Sequence, residues 1–580
     1  MRQHTAGAVF LYMSEPIIEF RDFGFKYTSQ AEPTLFDINL TVGRGEKVLI
    51  CGPSGCGKST LAHCINGLIP SSYSGEATGE LLIAGTSFRE LDIFKLSKTV
   101  GTVLQDSDAQ FIGLTVGEDI AFALENDRVS NAEMKRRVAD VARRVGVEDF
   151  LGHAPYELSG GQKQRVSLAG VMVDDVDVLL FDEPLANLDP ATGKTTIELI
   201  DDIHKSTGKT VLIIEHRLED VLHRDVDRIV LMGEGRIIAD MTPAELLSSD
   251  LLVRNGIREP LYITALKYAG VSVNPAIGPQ RIDTLRLSDD DIRKVQGWYS
   301  DVPSAAALEK GPVLLTAHGI GYTYGNGCKA LDKVDVDVRK GEMISIVGKN
   351  GAGKSTLAKV ICGFVKQQEG KVSLNGEDMA ALSIKERADH IGYVMQNPNQ
   401  MISKPMIREE VALGLVLRKK LTQAEIDAKV DETLKVCGLY PFRNWPVSAL
   451  SYGQKKRVTI ASILVMDPEV IILDEPTAGQ DFRHYTDIME FLRSLNALGI
   501  TIILITHDMH LMIEYCSRAV VLCDSEKVAD TSCEEVLTDT DVVEKANLKE
   551  TSLSKLASLC GIGDGQDFIR RFITADREAR

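Results

Sequence analysis

Two stretches place glycines, a lysine and hydroxyls in the order that phosphate binding uses: Gly52-Pro53-Ser54-Gly55-Cys56-Gly57-Lys58-Ser59-Thr60 and Gly348-Lys349-Asn350-Gly351-Ala352-Gly353-Lys354-Ser355-Thr356. The glycines at 52, 55 and 57, and at 348, 351 and 353, let successive backbone N–H groups turn toward one point. The Lys58 or Lys354 ammonium then reaches the β and γ phosphates of a nucleotide, and the Ser59 or Ser355 hydroxyl binds Mg2+ beside Thr60 or Thr356. Further on, apolar runs end in Leu180-Phe181-Asp182-Glu183-Pro184 and Ile472-Leu473-Asp474-Glu475-Pro476. Asp182 and Asp474 are placed to hold Mg2+ through its water shell, and Glu183 and Glu475 to orient and polarise an attacking water. One such set could arise by chance; two complete sets, each after an apolar strand, point to hydrolysis of a nucleoside triphosphate.

The elements that must position these residues repeat with them. Leu158-Ser159-Gly160-Gly161-Gln162 returns 292 residues later as Leu450-Ser451-Tyr452-Gly453-Gln454, and both continue to an arginine, Arg165 and Arg457. Asp182 and Asp474 are also 292 apart, and the histidines of Ile214-Glu215-His216 and Ile505-Thr506-His507 are 291 apart. One unit of about 290 residues therefore occurs twice. Within it, short apolar runs such as Val48-Leu49-Ile50 and Val178 to Phe181 alternate with charged amphipathic segments, which predicts an α/β fold with a parallel sheet buried on both faces. Ser130-x-x-Glu133 and Thr422-x-x-Glu425 read as capping boxes, each opening a charged helix of about four turns, so a helical subdomain precedes each signature. The stretch 271–311 holds Pro275, Pro279, Pro303 and the acidic run Asp289-Asp290-Asp291 without a repeated counterpart, and reads as a linker between units at 14–270 and 312–580.

Composition narrows the class. The 580 residues, 44% hydrophobic and 26% charged, are too many for one core. A net charge of -18 opposes broad neutralisation of nucleic-acid phosphates, so no nucleic-acid partner is expected. No apolar run approaches the roughly 20 residues of a spanning helix. Ten cysteines without CxxC or metal spacing indicate neither a zinc site nor a disulfide framework, and fit a reducing cytosol. The amino terminus lacks the features of a signal peptide, and Met13, directly before the first strand, is an alternative start.

A Ser-Gly-Gly-Gln signature 23 residues before the strand-end aspartate, repeated at the same spacing as Ser451-Tyr452-Gly453-Gln454, resembles the nucleotide-binding domain of ATP-binding cassette (ABC) proteins. The resemblance covers nearly the whole chain outside the linker. It implies tandem P-loop ATPase domains, each a RecA-like parallel-sheet core with a helical signature subdomain, using ATP and Mg2+. It also implies a head-to-tail pairing inside one chain, with no homodimer required: Ser451, Gly453 and Gln454 complete the Lys58 site, and Ser159, Gly160, Gly161 and Gln162 the Lys354 site. Gln105 and Gln396 match the family's lid glutamine, which touches Mg2+ or water. His216 and His507 match the switch histidine that contacts the γ phosphate, and Asp189 and Asp481 the aspartate of the crossing loop. Tyr27 and Tyr324 match the aromatic that stacks on adenine, with neighbouring Phe25 and Tyr322 as alternatives.

Within the family, Gln105-Asp-Ser-Asp-Ala-Gln110 and Gln396-Asn397-Pro398-Asn399-Gln400 resemble the lid segment of energy-coupling factor ATPases, which power uptake of vitamins, vitamin precursors, nickel or cobalt. The short repeated tails, Gly256 to Leu261 and Asn547 to Ser552, match the carboxyl-terminal extension of that group. The implied partners are a transmembrane coupling protein (EcfT-like) and a separate substrate-binding membrane protein, with this chain peripheral on the cytoplasmic face of the cell membrane. Two rivals are weighed. Fused sugar-importer ATPases tend to carry an impaired second unit, whereas Lys354, Asp474, Glu475 and His507 are all present here. Cytosolic ABC-F-like translation factors need basic surface and a long charged linker. Two further expectations concern single residues. Tyr452 replaces the first signature glycine and restricts φ there, which predicts unequal sites with the Lys354–Glu475–Ser159 site the more active. Cys56, inside the first phosphate loop, has either a redox role or merely fills a variable position.

Overall fold

The computed structural model describes residues 15–105, 110–186, 188–304, 311–478 and 480–579. The alternative start at Met13 and the stretch 106–109 of the first lid segment lie outside the described residues. The chain divides into two compact units: Met1–Ala186, Thr192–Ile263 and Val273–Arg286 form one, and Asn187–Ala191, Thr264–Ser272 and Leu287–Arg580 the other.

In the first unit, strands Arg236–Met241, Arg228–Gly233, Lys47–Cys51, Thr210–Ile214, Val178–Asp182 and Val100–Val103 lie side by side in that order. All neighbours are parallel except the antiparallel edge strand Arg236–Met241. The unbroken apolar runs have a direct cause: successive side chains point to opposite faces, and both faces are covered. Leu49, Cys51, Leu179, Phe181, Val211 and Ile213 pack into a core with the helices. Val48, Ile50, Val178, Leu180, Leu212 and Ile214 pack into a second core beneath an antiparallel sheet of Leu35–Gly43, Pro16–Tyr27, Gly75–Ile83 and Thr86–Ser87. Each fully buried aliphatic side chain contributes about 2 kcal/mol from removed apolar surface, so a polar residue on either face of these strands is costly. The second unit repeats the plan, with Ile391–Val394, Val470–Asp474, Thr501–Ile505, Met343–Val347, Arg518–Cys523 and Glu526–Thr531 in order beside a four-stranded antiparallel sheet.

The helical subdomains stand where the capping signals place them, with one difference. Thr422 and Glu425 form the reciprocal box that opens Gln423–Val436. Ser130 precedes Asn131–Val145 but its side chain makes no cap bond, and the Glu133 carboxylate does not reach back to the Ser130 N–H but pairs with Arg136 and Arg137 at 2.7 and 2.8 Å. Two adjacent guanidiniums outcompete a single backbone N–H for one carboxylate. That helix buries only Val138, Ala142 and Val145 toward the core, one stripe at helical spacing.

The stretch expected as a linker is more structured than its prolines suggest. Asp289–Asp301 is a helix in which Ser288 and Asp291 form a capping box, and the acidic run is its first turn, where carboxylates favour the helix dipole. Its Trp298 meets Phe568 edge-on at 5.6 Å, and its Tyr299 donates to Asp567 at 2.8 Å, so it packs on the carboxyl-terminal helix Gly565–Ala579 of the same unit. Among the described residues no helix is long and apolar enough to cross a membrane.

Candidate functional site

Each phosphate loop links a fully buried strand, Lys47–Cys51 or Met343–Val347, to a helix that begins at the lysine, Lys58–Ile65 or Lys354–Cys362. Gly57 and Gly353 cap those helices with φ of 103° and 102°, a left-handed backbone that disfavours a side chain. A Cβ at 353 would stand 2.3 Å from the Ala330 carbonyl oxygen, so space as well as torsion demands glycine. The lysines are buried, and their ammoniums are held by loop carbonyls: Lys58 donates to Gly52 O at 2.8 Å and Pro53 O at 3.0 Å, Lys354 to Gly348 O at 2.7 Å and Lys349 O at 2.9 Å. Burial pulls the Lys354 ammonium below its ordinary range against the attraction of Glu475 and Asp474. Ser59 is exposed and Ser355 half-buried at the open side of each helix start.

Tyr27 and Tyr324 reach the same helices, their hydroxyls 3.0 Å from Thr60 Oγ1 and Thr356 Oγ1. Phe25 is 2% exposed in the core and has no face to offer an adenine, whereas Tyr322 stands edge-on to Tyr324 at 5.0 Å. Cys56 is 4% exposed beside Lys58, which shields its thiol from oxidants and favours the packing role.

The strand-end acids converge on the lysines. Glu183 and Glu475 both occupy left-handed backbone, φ 49° and 45°, and donate their N–H to Ile214 O and Ile505 O at 2.9 Å. A non-glycine residue in that region costs about 1 kcal/mol or more and is held only by surrounding structure, here the adjacent strand. Gln105 Nε2 donates to Glu183 Oε2 at 2.8 Å, so the first lid glutamine and strand-end glutamate meet. In the second unit His507 Nδ1 lies 2.8 Å from Glu475 Oε1. In the first unit His216 Nδ1 is 4.0 Å from Glu183 and 3.2 Å from Glu215, a carboxylate only 1% exposed. Burial, then the charge of Glu215, pushes the Glu183 carboxyl up to about 7, and burial also raises Asp182.

The signature residues are explained locally. Ser159 and Gln162 form a capping box on Gly160–Met172, and Ser451 and Gln454 one on Tyr452–Leu464. Gly160 and Tyr452 are both the first residue of their helix, and neither has positive φ. The expected φ restriction at Tyr452 therefore does not arise: a first helical position accepts any residue, and the difference between copies is the side chain alone.

Three residues escaped the motif reading: Glu215, Tyr393 and Lys456. Tyr393 donates to Asp474 Oδ2 at 2.7 Å. Lys456 is wholly buried, and burial lowers its ammonium to about 8 against the pull of Asp474 and Glu475. Aligned copies carry Thr506, Thr102 and Gln164 at these places. Comparing the two halves for chemically unlike residues, rather than for shared ones, would have found all three.

Buried carboxylates beside a phosphate-loop lysine suit a hard divalent cation that prefers oxygen ligands and keeps several waters. Asp182, Glu183 and Glu215 crowd negative charge that such an ion would offset, so the residues fit Mg2+, which Ser59 or Ser355 would bind directly and Asp182 or Asp474 would hold through its water shell.

A doubled parallel sheet with phosphate loops, strand-end Asp-Glu pairs and signature helices defines a tandem P-loop ATPase. A family model described as ABC transporter matches residues 35–186 and 331–478, one described as an ATP-binding cassette cobalt transporter matches 249–322, and an AAA domain model matches 443–514. A relative in Clostridium perfringens is 58% identical over 564 residues, 97% of this chain and 99% of its own, and one in Enterococcus faecalis is 58% identical over 570 residues, 98% and 100%. Both are named as candidate ABC transporter ATP-binding proteins. A solved structure of cbiO1 from Clostridium perfringens, described as part of the ABC transporter complex cbiONQ, is 35% identical over 40% of this chain and 94% of its own, with TM-score 0.38. This chain belongs to the ABC transporter family as an ATP-binding subunit with two ATPase domains, and its enzymatic activity is ATP hydrolysis.

Proposed function

We propose that this ATPase powers an uptake transporter of the energy-coupling factor type, carrying cobalt, nickel, a vitamin or a vitamin precursor. The observation that carries the substrate class is the match of 249–322 to the cobalt-transporter family, joined to the lid segments after Gln105 and Gln396. Its partners are a transmembrane coupling protein and a separate substrate-binding membrane protein, with this chain peripheral on the cytoplasmic face. Each ATP is held head-to-tail, the Lys58 loop facing Ser451, Gly453 and Gln454, and the Lys354 loop facing Ser159 to Gln162.

In this reading the loop N–H groups and Lys58 or Lys354 bind the β and γ phosphates, and Tyr27 or Tyr324 stacks on adenine. Bound Mg2+ would supply charge neutralisation to the phosphates. Glu183 or Glu475 orients the water that attacks the γ phosphorus and takes up its proton. His216 or His507 contacts the γ phosphate, and Gln105 or Gln396 spans lid and site. The short His507–Glu475 contact and the Gln105–Glu183 bond support these roles, since each joins two residues assigned to one reaction.

The reading is tested by purifying the tagged chain from its native membrane in mild detergent and identifying co-purified proteins by mass spectrometry. A transmembrane coupling protein together with a small substrate-binding membrane protein is expected. Recovery of sugar-importer permeases, or of ribosomal proteins without a membrane partner, would overturn it.

A further inference from the structure

In the second unit, the lid glutamine is tied to the signature helix of the same unit. Lys456 Nζ donates to the carbonyl oxygens of Met395 and Gln396, both at 2.8 Å. Tyr452, four residues earlier and so on the same helix face, donates its hydroxyl to the Gln396 carbonyl at 3.3 Å. Burying an ammonium costs several kcal/mol unless hydrogen bonds compensate. A hydrocarbon side chain would fill the same space without that cost, so the charge is accounted for by what it holds. The ammonium also attracts Asp474 and Glu475.

Among the described residues the first unit lacks the device. Gly160 has no side chain at the Tyr452 position, and Gln164, at the Lys456 position, bonds instead to the Pro184 carbonyl and Thr196 Oγ1. There the lid is held by the Gln105 side chain on Glu183. A neutral amide cannot reproduce an ammonium that serves two carbonyls and attracts two carboxylates at once.

We propose that Lys456, seconded by Tyr452, is a positioning residue for ATP hydrolysis in the second unit, clamping the lid to the signature helix so that Gln396 keeps its place relative to Asp474 and Glu475. The inference rests on Glu475 acting as the water-orienting base.

The test uses the full-length chain carrying Glu183→Gln, so that turnover reports the Glu475 site. Lys456→Met should lower kcat about 10-fold or more while KM for ATP stays within about two-fold. Lys456→Arg should restore most of kcat, and Tyr452→Phe should cost less than Lys456→Met. Hydrogen exchange of backbone amides 395–402 should quicken in Lys456→Met. If Lys456→Met does not fold, Lys456→Gln, which installs the first unit's residue, carries the same expectations. Unchanged kcat, a parallel rise in KM, or unchanged lid exchange would overturn the proposal. Failure of the base assignment is recognised separately: a Glu183→Gln, Glu475→Gln double variant that still hydrolyses ATP removes that reading, while lid exchange still reports on Lys456.

Discussion

His507 Nδ1 stands 2.8 Å from Glu475 Oε1, whereas the equivalent His216 lies nearer Glu215 than Glu183. The cause is one residue. Glu215, whose carboxylate accepts from the N–H groups of His216 and Arg217 at 2.8 and 3.2 Å, occupies the place of Thr506, and a carboxylate competes for an imidazole where a threonine hydroxyl does not. On a Glu475→Gln background, Glu215→Thr should therefore free His216 for Glu183 and raise turnover by about 10-fold, a small part of what positioned acid–base groups contribute. Turnover that stays flat or falls, measured under saturating ATP, would separate His216 from that role.

Unequal sites follow from the same asymmetry joined to Lys456. Glu475→Gln is expected to remove most ATP turnover of the full-length chain, and Glu183→Gln to leave more than half. Steady-state rates of the two single variants decide it, and the reverse order would refute it.

Glu183 also links stability to pH. Its carboxyl rises from 4.5 to about 7 on folding, so its favourable contribution is fully present below pH 4.5 and is lost as pH rises through 7. Without nucleotide or Mg2+, Glu183→Gln should gain on the parent protein between those values, by about 3 kcal/mol at pH 8 relative to pH 4. Melting curves in chelator across that range are the check, and a difference independent of pH would contradict the environment described for Glu183.

Lys47 and Asp201 form an ion pair at 2.5 Å with side chains only 2% and 3% exposed. Lys47→Met should cost about 3 kcal/mol, because it leaves a buried carboxylate with Lys205 at 2.7 Å and Arg224 at 4.0 Å as its remaining cations among the described residues. Adding Asp201→Leu should recover most of that loss in denaturant unfolding, since no charge is then stranded. A double variant as unstable as the single would show that packing rather than charge governs the position.

Much of the site was readable in one dimension, since phosphate loops, strand-end acids and capping boxes are local chemistry. Gly57 must turn the chain just before Lys58, and Ser159 must cap the helix whose third residue is Gln162, wherever the rest of the chain lies. The helix opened by the acidic run at 289–291 has no local signal for its packing, because the aromatic partner that holds it, Phe568, lies more than 250 residues away. The repeat supplied the remainder by pairing each motif with a copy.

The sequence by itself determined the doubled α/β plan and the ATPase chemistry, because each motif satisfies its own backbone at short range. Only the tertiary structure decided which imidazole meets which carboxylate, and which unit's lid is clamped. Tyr393 and Lys456 act across strands and helices far apart in the chain, Glu215 acts on Glu183 from a neighbouring strand, and a buried charge takes its meaning from the groups folding brings around it.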